Sequence, residues 1–208
     1  MLPKKILMNA RKPKGFWGKI FIKKMNKGHA ALTAWALEKL DLQSVDLAVD
    51  IGCGGGRVVN LLARSGLVNK TVGIDYSPTS VACAGKLNRK EIQAGRVEIR
   101  QGSVSQLPFD NNSVDIAVSF ESYYYWPDLE QDMLEIFRTL KPGGRFMLVA
   151  ELYDNGHISK RDQEYVDTLH MTNLTPEAFS ELFYHAGYRE VTVTLKEENC
   201  WICVIGKK

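Results

Sequence analysis

The apolar run Val45 to Ile51 passes without a break into Gly52-Cys53-Gly54-Gly55-Gly56 and then into a helical stretch from Arg57 to Ser65. Strand, glycine turn and helix together form a unit of parallel α/β structure, and in that context a glycine string becomes a place where a ligand meets backbone. Gly52 permits the tight turn, and Gly54 leaves free the space that a side chain would occupy. The spacing, acid-x-G-x-G-x-G from Asp50, differs from the G-x-G-x-x-G dinucleotide fingerprint, which would need glycine where Arg57 stands. No Gly-Lys-Ser/Thr follows, so a Walker phosphate loop is excluded.

The remaining chain alternates between strand-like and helical patterns in the order of a parallel sheet. Thr71 to Ile74 is a second strand ending at Asp75, and Ser77-Pro78 opens a helix that runs to about Lys90. Val97 to Arg100 and Val114 to Phe120 are the third and fourth strands, the latter apolar enough to be buried on both faces. A helix from Leu129 to Leu140 stops at Lys141-Pro142-Gly143-Gly144, and Arg145 to Leu152 is the fifth strand. Residues 153–174 read as a loop with some helix. Thr175-Pro176-Glu177 starts a last helix, leading to Gly187, and strands over about 189–195 and 199–205 end the chain. Val191, Val193 and Leu195 alternate with threonines, as expected of antiparallel pairing at a sheet end. The expected fold is α/β: a Rossmann-like, seven-stranded, mostly parallel sheet with an antiparallel last strand and helices on both faces.

At 208 residues the chain suits one domain, spanning 29–208, preceded by a basic arm over residues 1–28. Residues 1–27 hold nine Lys or Arg and no acid, while the remainder is net acidic. Phe16, Trp17, Ile20, Phe21 and Ile22 interleave with those lysines, which argues for an amphipathic segment lying on something. An acidic small molecule, a nucleic-acid backbone or a membrane surface would each be attracted. The arm reads as a lid or as a soluble leader. No apolar run reaches bilayer length and no signal-peptide core is present, so a cytoplasmic protein is expected. Cys200 and Cys203 have redox or zinc spacing, but they fall in a strand-like run whose side chains alternate in direction, so they are read as structural.

On a doubly wound sheet, strand ends line one crevice, which sets Asp75 beside the glycine turn, placed to accept the hydroxyls of a ribose. With these motifs in order, the chain resembles the class I S-adenosylmethionine-dependent methyltransferases, in particular the small-molecule branch that includes ubiquinone/menaquinone and sterol methyltransferases. The resemblance is carried by Val49 to Arg57, Gly73-Ile74-Asp75-Tyr76-Ser77, Leu107-Pro108-Phe109 ahead of Ser113-Val114-Asp115, and Leu140 to Phe146. It implies S-adenosylmethionine as cofactor, S-adenosylhomocysteine as product, and a small-molecule acceptor.

The resemblance implies that Gly52, Cys53 and Gly54 bring backbone to the methionine part, with Asp50 holding its ammonium. Asp75 would grip the ribose, and Tyr76 would pack on adenine. Gly102, Ser103 and Val104 stand where the family contacts the adenine amino group; Ser103 departs from the usual Asp or Asn. Phe120 and Glu121 would border the sulfonium.

Glu121-Ser122-Tyr123-Tyr124-Tyr125-Trp126 puts a carboxylate and four aromatics where an acceptor must sit. Glu121 and Tyr124 are candidate catalytic residues, set against ordinary packing for any single ring. His29 is the third candidate, touching cofactor or acceptor, or else only capping a helix. His157, His170 and His185 show no ligand spacing, so no metal is expected.

Methyl transfer needs positioning and exclusion of water more than a dedicated nucleophile. The lack of a Ser-His-Asp arrangement therefore fits. A nucleic-acid acceptor is disfavoured, because no RNA-binding module is visible and Ser119-Phe120-Glu121-Ser122 replaces the Asn/Asp-Pro-Pro-Tyr signature. The arm's charge suggests an anionic acceptor and the protein is expected as a monomer or homodimer. The alternatives are a non-catalytic cofactor-binding module of this fold and a tRNA or rRNA methyltransferase that uses the arm.

Overall fold

The computed structural model describes residues 4–208, with side chains from Met8 onward; Met1 to Pro3 of the arm lie outside the described residues. Helices α1 (Lys4–Arg11), α2 (Gly15–Gly28) and α3 (Ala30–Leu37) precede strand β1 (Val45–Ile51). Helix α4 (Arg57–Arg64), β2 (Val68–Asp75), α5 (Pro78–Leu87), α6 (Arg89–Gln93), β3 (Val97–Gln101) and β4 (Val114–Phe120) follow. A 3-10 turn, Tyr123–Tyr125, then leads to α7 (Leu129–Thr139), β5 (Leu140–Ala150), α8 (Lys160–Leu169), α9 (Pro176–His185), β6 (Arg189–Lys196) and, after a second 3-10 turn over Glu197–Asn199, β7 (Trp201–Lys207).

The strands form one sheet in the order β3-β2-β1-β4-β5-β7-β6. The first five pair in parallel, whereas β7 runs antiparallel between β5 and β6. The order reverses between β1 and β4, which makes their carboxyl ends the crevice of a doubly wound sheet. Successive residues of one strand feed opposite layers: Leu148 packs into the layer with α7 and α9, while Met147 and Val149 pack into the layer with α3 and α4. The capping signals act as expected. Ser77, Thr175 and Asp128 each accept an amide of the first helical turn, and Pro78 and Pro176 stand at the helix starts.

Several boundaries differ from the sequence reading; the helix read from Pro78 to about Lys90, for one, is split into α5 and α6 at Asn88. Strand β2 starts at Val68, because pairing with Val45 extends it through polar Asn69 and Lys70. Strand β5 begins at Leu140, with a register shift against β4 that absorbs the Pro-Gly-Gly segment. Helix α8 organises the segment read mainly as loop, started by Ser159, which accepts the Asp162 amide. Cys200 packs in one layer beside Tyr153 and Cys203 in the other, so the two thiols do not converge. No described helix is long and apolar enough to cross a membrane.

Candidate active site

Strands β1, β2 and β4 end together, and the turns beyond them line a cavity of about 430 Å³. Every predicted cofactor residue borders it: Asp50, Gly52, Cys53, Gly54, Asp75, Tyr76, Gly102, Ser103, Val104 and Phe120. His29 and Glu121 do so as well, whereas Tyr124 lines a second cavity of about 570 Å³ on the other side of Glu121.

The glycine turn is held by Asp75, whose Oδ2 accepts the Gly54 amide at 2.8 Å and whose Oδ1 accepts the Ser77 amide at 2.8 Å. Gly52 has φ of +75°, and an added Cβ would lie 2.4 Å from the Ser122 Cβ. Ser122 in turn donates to the Ile51 carbonyl at 3.0 Å and accepts from the Trp126 indole at 3.2 Å, tying the ends of β1 and β4 together. Gly52→Ala is therefore expected to cost about 1–3 kcal/mol through backbone strain and overpacking. A thermal melt checks this, and an unchanged melting temperature would show that the turn is not constrained as described.

Asp50 is buried, and neither carboxylate oxygen makes a hydrogen bond of normal geometry. Burial, followed by the neighbouring Asp75 carboxylate, pushes it up to about 8. An orphaned carboxylate facing a cavity is costly by itself and awaits a cationic partner, so the site fits a ligand with an ammonium group. Burial also raises Asp75, against the opposing amides of Ser77 and Gly54.

The arm covers this cavity. Ala10, Arg11, Pro13, Ile22, Met25 and Asn26 line it. The Tyr76 hydroxyl donates to the Arg11 carbonyl and Ser77 Oγ donates to the Pro13 carbonyl at 3.0 Å. Lys12 stands 5.0 Å from the Tyr76 ring centroid. Gly55 admits α2, since a Cβ there would lie 2.4 Å from Asn26 Nδ2. Ser103 is exposed and contacts Ser105, so its hydroxyl has no fixed partner deeper in the cavity.

Glu121 follows β4 with φ of +56°, an unusual conformation for a non-glycine residue at the crevice. Its Oε1 accepts the Glu151 amide and the Tyr124 hydroxyl, the latter at 3.3 Å. His29 joins α2 to α3 without a side-chain capping bond, and its Nε2 lies 3.4 Å from Glu151 Oε1. One ligand atom from each of His29, Glu121 and Glu151 falls within 4.8 Å of the others, so the cluster could hold a proton or a cation.

Burial, then the Glu151 charge, pushes Glu121 up to about 8. Burial pulls His29 down, but the Glu151 hydrogen bond and both carboxylates outweigh it and its net shift is upward. Burial, then Glu121, lifts Tyr124 well above its ordinary value and keeps it a donor.

Glu151 was missed by the sequence reading. Its signal was its place just past β5, as Glu121 stands just past β4, and these are neighbouring parallel strands. The His29 cluster also escapes any search by spacing, because its members come from three separated segments.

The fold and cavity together define a doubly wound α/β protein with a ligand-sized cavity at the carboxyl ends of its strands. Residues 49–148 match the methyltransferase domain family. The chain is 31% identical over 147 residues to sterol 4-C-methyltransferase strm-1 of Caenorhabditis elegans, covering 71% of this chain and 43% of that protein. It is 30% identical over 157 residues to the chloroplastic 2-methyl-6-phytyl-1,4-hydroquinone methyltransferase of Arabidopsis thaliana, covering 75% and 44%. It thus spans less than half the length of these two relatives.

Among solved structures, the chain bound to the Haloferax volcanii Trm112 methyltransferase activator superposes with a TM-score of 0.79 at 22% identity, covering 100% of this chain and 99% of that one. Haemonchus contortus phosphoethanolamine N-methyltransferase 2, in complex with S-adenosyl-L-methionine, gives a TM-score of 0.75 at 18% identity, covering 86% and 52%. Residues 49–148 thus form a methyltransferase domain, and the chain shares the fold of the class I S-adenosylmethionine-dependent methyltransferases.

Proposed function

We propose that this protein transfers the methyl group of S-adenosylmethionine to a small-molecule acceptor held in the second cavity. The observation that carries the reading is a shared wall: Met25, His29, Glu121 and Tyr125 line both cavities. A methyl group leaving the first cavity in line would emerge at that wall. Asp50 would hold the methionine ammonium, the Gly52–Gly54 backbone the methionine chain, Asp75 the ribose and Tyr76 the adenine. The cofactor supplies an activated sulfonium; the protein's part is to align the acceptor and exclude water.

The second cavity is lined by Phe21, Tyr124, Tyr125, Tyr165, Leu169 and Met171, which suits an acceptor with an apolar body. Lys24 and Arg161 at the same cavity would meet an anionic group. Sterol and hydroquinone names among the relatives agree with an acceptor of that kind. Glu121, oriented by the Tyr124 hydroxyl and the Glu151 amide, would take the acceptor's proton as the methyl arrives, with His29 and Glu151 sharing it.

Labelled S-adenosylmethionine offered with phenolic, hydroquinone and sterol acceptors tests the reading. Turnover is expected to rise with pH towards about 8, as Glu121 loses its proton. Glu121→Gln should remove that limb, and both it and Tyr124→Phe should lower kcat about tenfold, the loss of roughly 1.5 kcal/mol, with little change in cofactor affinity. Unaltered rates and pH profiles would reduce both residues to packing. Cofactor binding without label in any acceptor would favour the non-catalytic module.

A further inference from the structure

We propose that α2 docks this protein on anionic membrane surfaces through Phe16, Trp17 and Ile20, with the second cavity opening beside the contact. Gly18 and Ile22 form the buried side of α2, and Gly18 lies so close to Pro13 that a Cβ there would fall 2.8 Å from its carbonyl carbon. That packing fixes which side of the helix faces out. On the outer side Phe16 is 71% exposed, Trp17 64% and Ile20 45%. Scattered single apolar residues are normal on a surface, but three large ones within little more than one helical turn form a patch that water penalises.

Charge tells what covers the patch. Residues 1–27 carry nine basic side chains and no acid. Lys19, Lys23, Lys24 and Lys27 of α2 are all exposed, as are Lys12 and Lys14 just before it. Shallow apolar insertion and attraction of lysines to acidic headgroups are each weak alone and effective together. Because the rest of the chain is net acidic, an anionic bilayer would also repel the opposite side and orient the molecule. An aliphatic Ile20 beside two rings suits hydrocarbon better than stacked bases, so the bilayer fits this surface better than RNA does.

The patch is continuous with the acceptor cavity. Trp17, Phe21, Lys24 and Gly28 succeed one another along one stripe of α2, and the last three line the second cavity. Arg161 and Tyr165 of α8 border the same cavity. An apolar acceptor dissolved in the bilayer would therefore enter without crossing water. That supply route rests on the methyl-transfer reading, whereas docking does not.

Sedimentation of the full chain with vesicles, without cofactor or acceptor, tests docking by itself. Vesicles of mixed phosphatidylcholine and phosphatidylglycerol are expected to carry the protein down, and pure phosphatidylcholine far less. The bound fraction should fall with added salt. A Phe16→Ser, Trp17→Ser double variant should lose about tenfold in partition. Both side chains are exposed, so its melting temperature and S-adenosylmethionine affinity should match those of the parent. The parent's tryptophan emission should shift to the blue on binding, and a Trp17→Phe variant should lose most of that shift. Equal partition of parent and double variant, or no preference for anionic vesicles, would overturn the proposal. Binding to structured RNA with vesicles left unbound would overturn it equally and mark the patch as a nucleic-acid surface. Retained docking with no methyl transfer would count against the proposed activity alone.

Discussion

Asp50→Asn is expected to stabilise the cofactor-free protein near neutral and alkaline pH while weakening S-adenosylmethionine binding by about 2 kcal/mol, roughly thirtyfold. Both effects come from one orphaned carboxylate. In the fold Asp50 stays protonated up to about 8, against an ordinary value of 3.8, so it contributes stability at low pH that is lost progressively as pH rises from about 4 through about 8. The parent's melting temperature should fall across that window and the variant's should fall less. An ammonium brought by the cofactor would meet the buried charge and offset its cost, which Asn cannot exploit. Thermal melts across pH together with calorimetry decide it. A parent-like pH slope with undiminished affinity would remove the ammonium assignment.

Asp75→Ala provides the contrast. This carboxylate is already occupied, accepting the Gly54 and Ser77 amides at 2.8 Å. Its loss should lower stability and cofactor affinity together, the latter by about 1.5–3 kcal/mol. Affinity unchanged in Asp75→Ala would withdraw the ribose assignment.

Deleting residues 1–24 is expected to reduce turnover by about a hundredfold, because a transfer centre open to water loses the electrostatic advantage of exclusion. Cofactor affinity should fall by less. The deletion removes Arg11, Pro13 and Ile22 from the first cavity but leaves Asp50, Asp75 and the glycine turn in place. The sheet core should survive, since among the described side chains removed only Pro13 and Ile22 are buried and apolar. Circular dichroism checks this. A lid also predicts that salt dependence of turnover fades in the truncated protein, as the screened charges are gone. Equal turnover of the truncated and full chains at every salt concentration would make the arm a leader.

The order of strands and helices was readable from the chain because its signals are local. Two-residue and 3.6-residue periodicity, Ser77-Pro78, Thr175-Pro176 and the Gly52–Gly56 string each act within a few residues of themselves. That the proposed cofactor residues border one cavity was readable for a related reason. In a doubly wound sheet, topology alone brings successive strand ends together, so Asp50, Asp75, Gly102 and Phe120 could be assigned to one crevice from their positions in sequence.

The cluster of His29, Glu121 and Glu151 was decided only in three dimensions. Glu151 meets Glu121 because β5 lies beside β4 with Phe120 opposite Val149, and His29 reaches Glu151 because α2 and α3 turn at that residue above both strand ends. Such pairings depend on strand register and on the angle at which a helix crosses the sheet, and neither leaves a periodic trace in the chain. The arm shows the same division. Its charge and its aromatic residues belong to the sequence; which of them turn inward over the cofactor cavity and which face outward was settled by the packing of Gly18 on Pro13 and of Asn26 on Gly55.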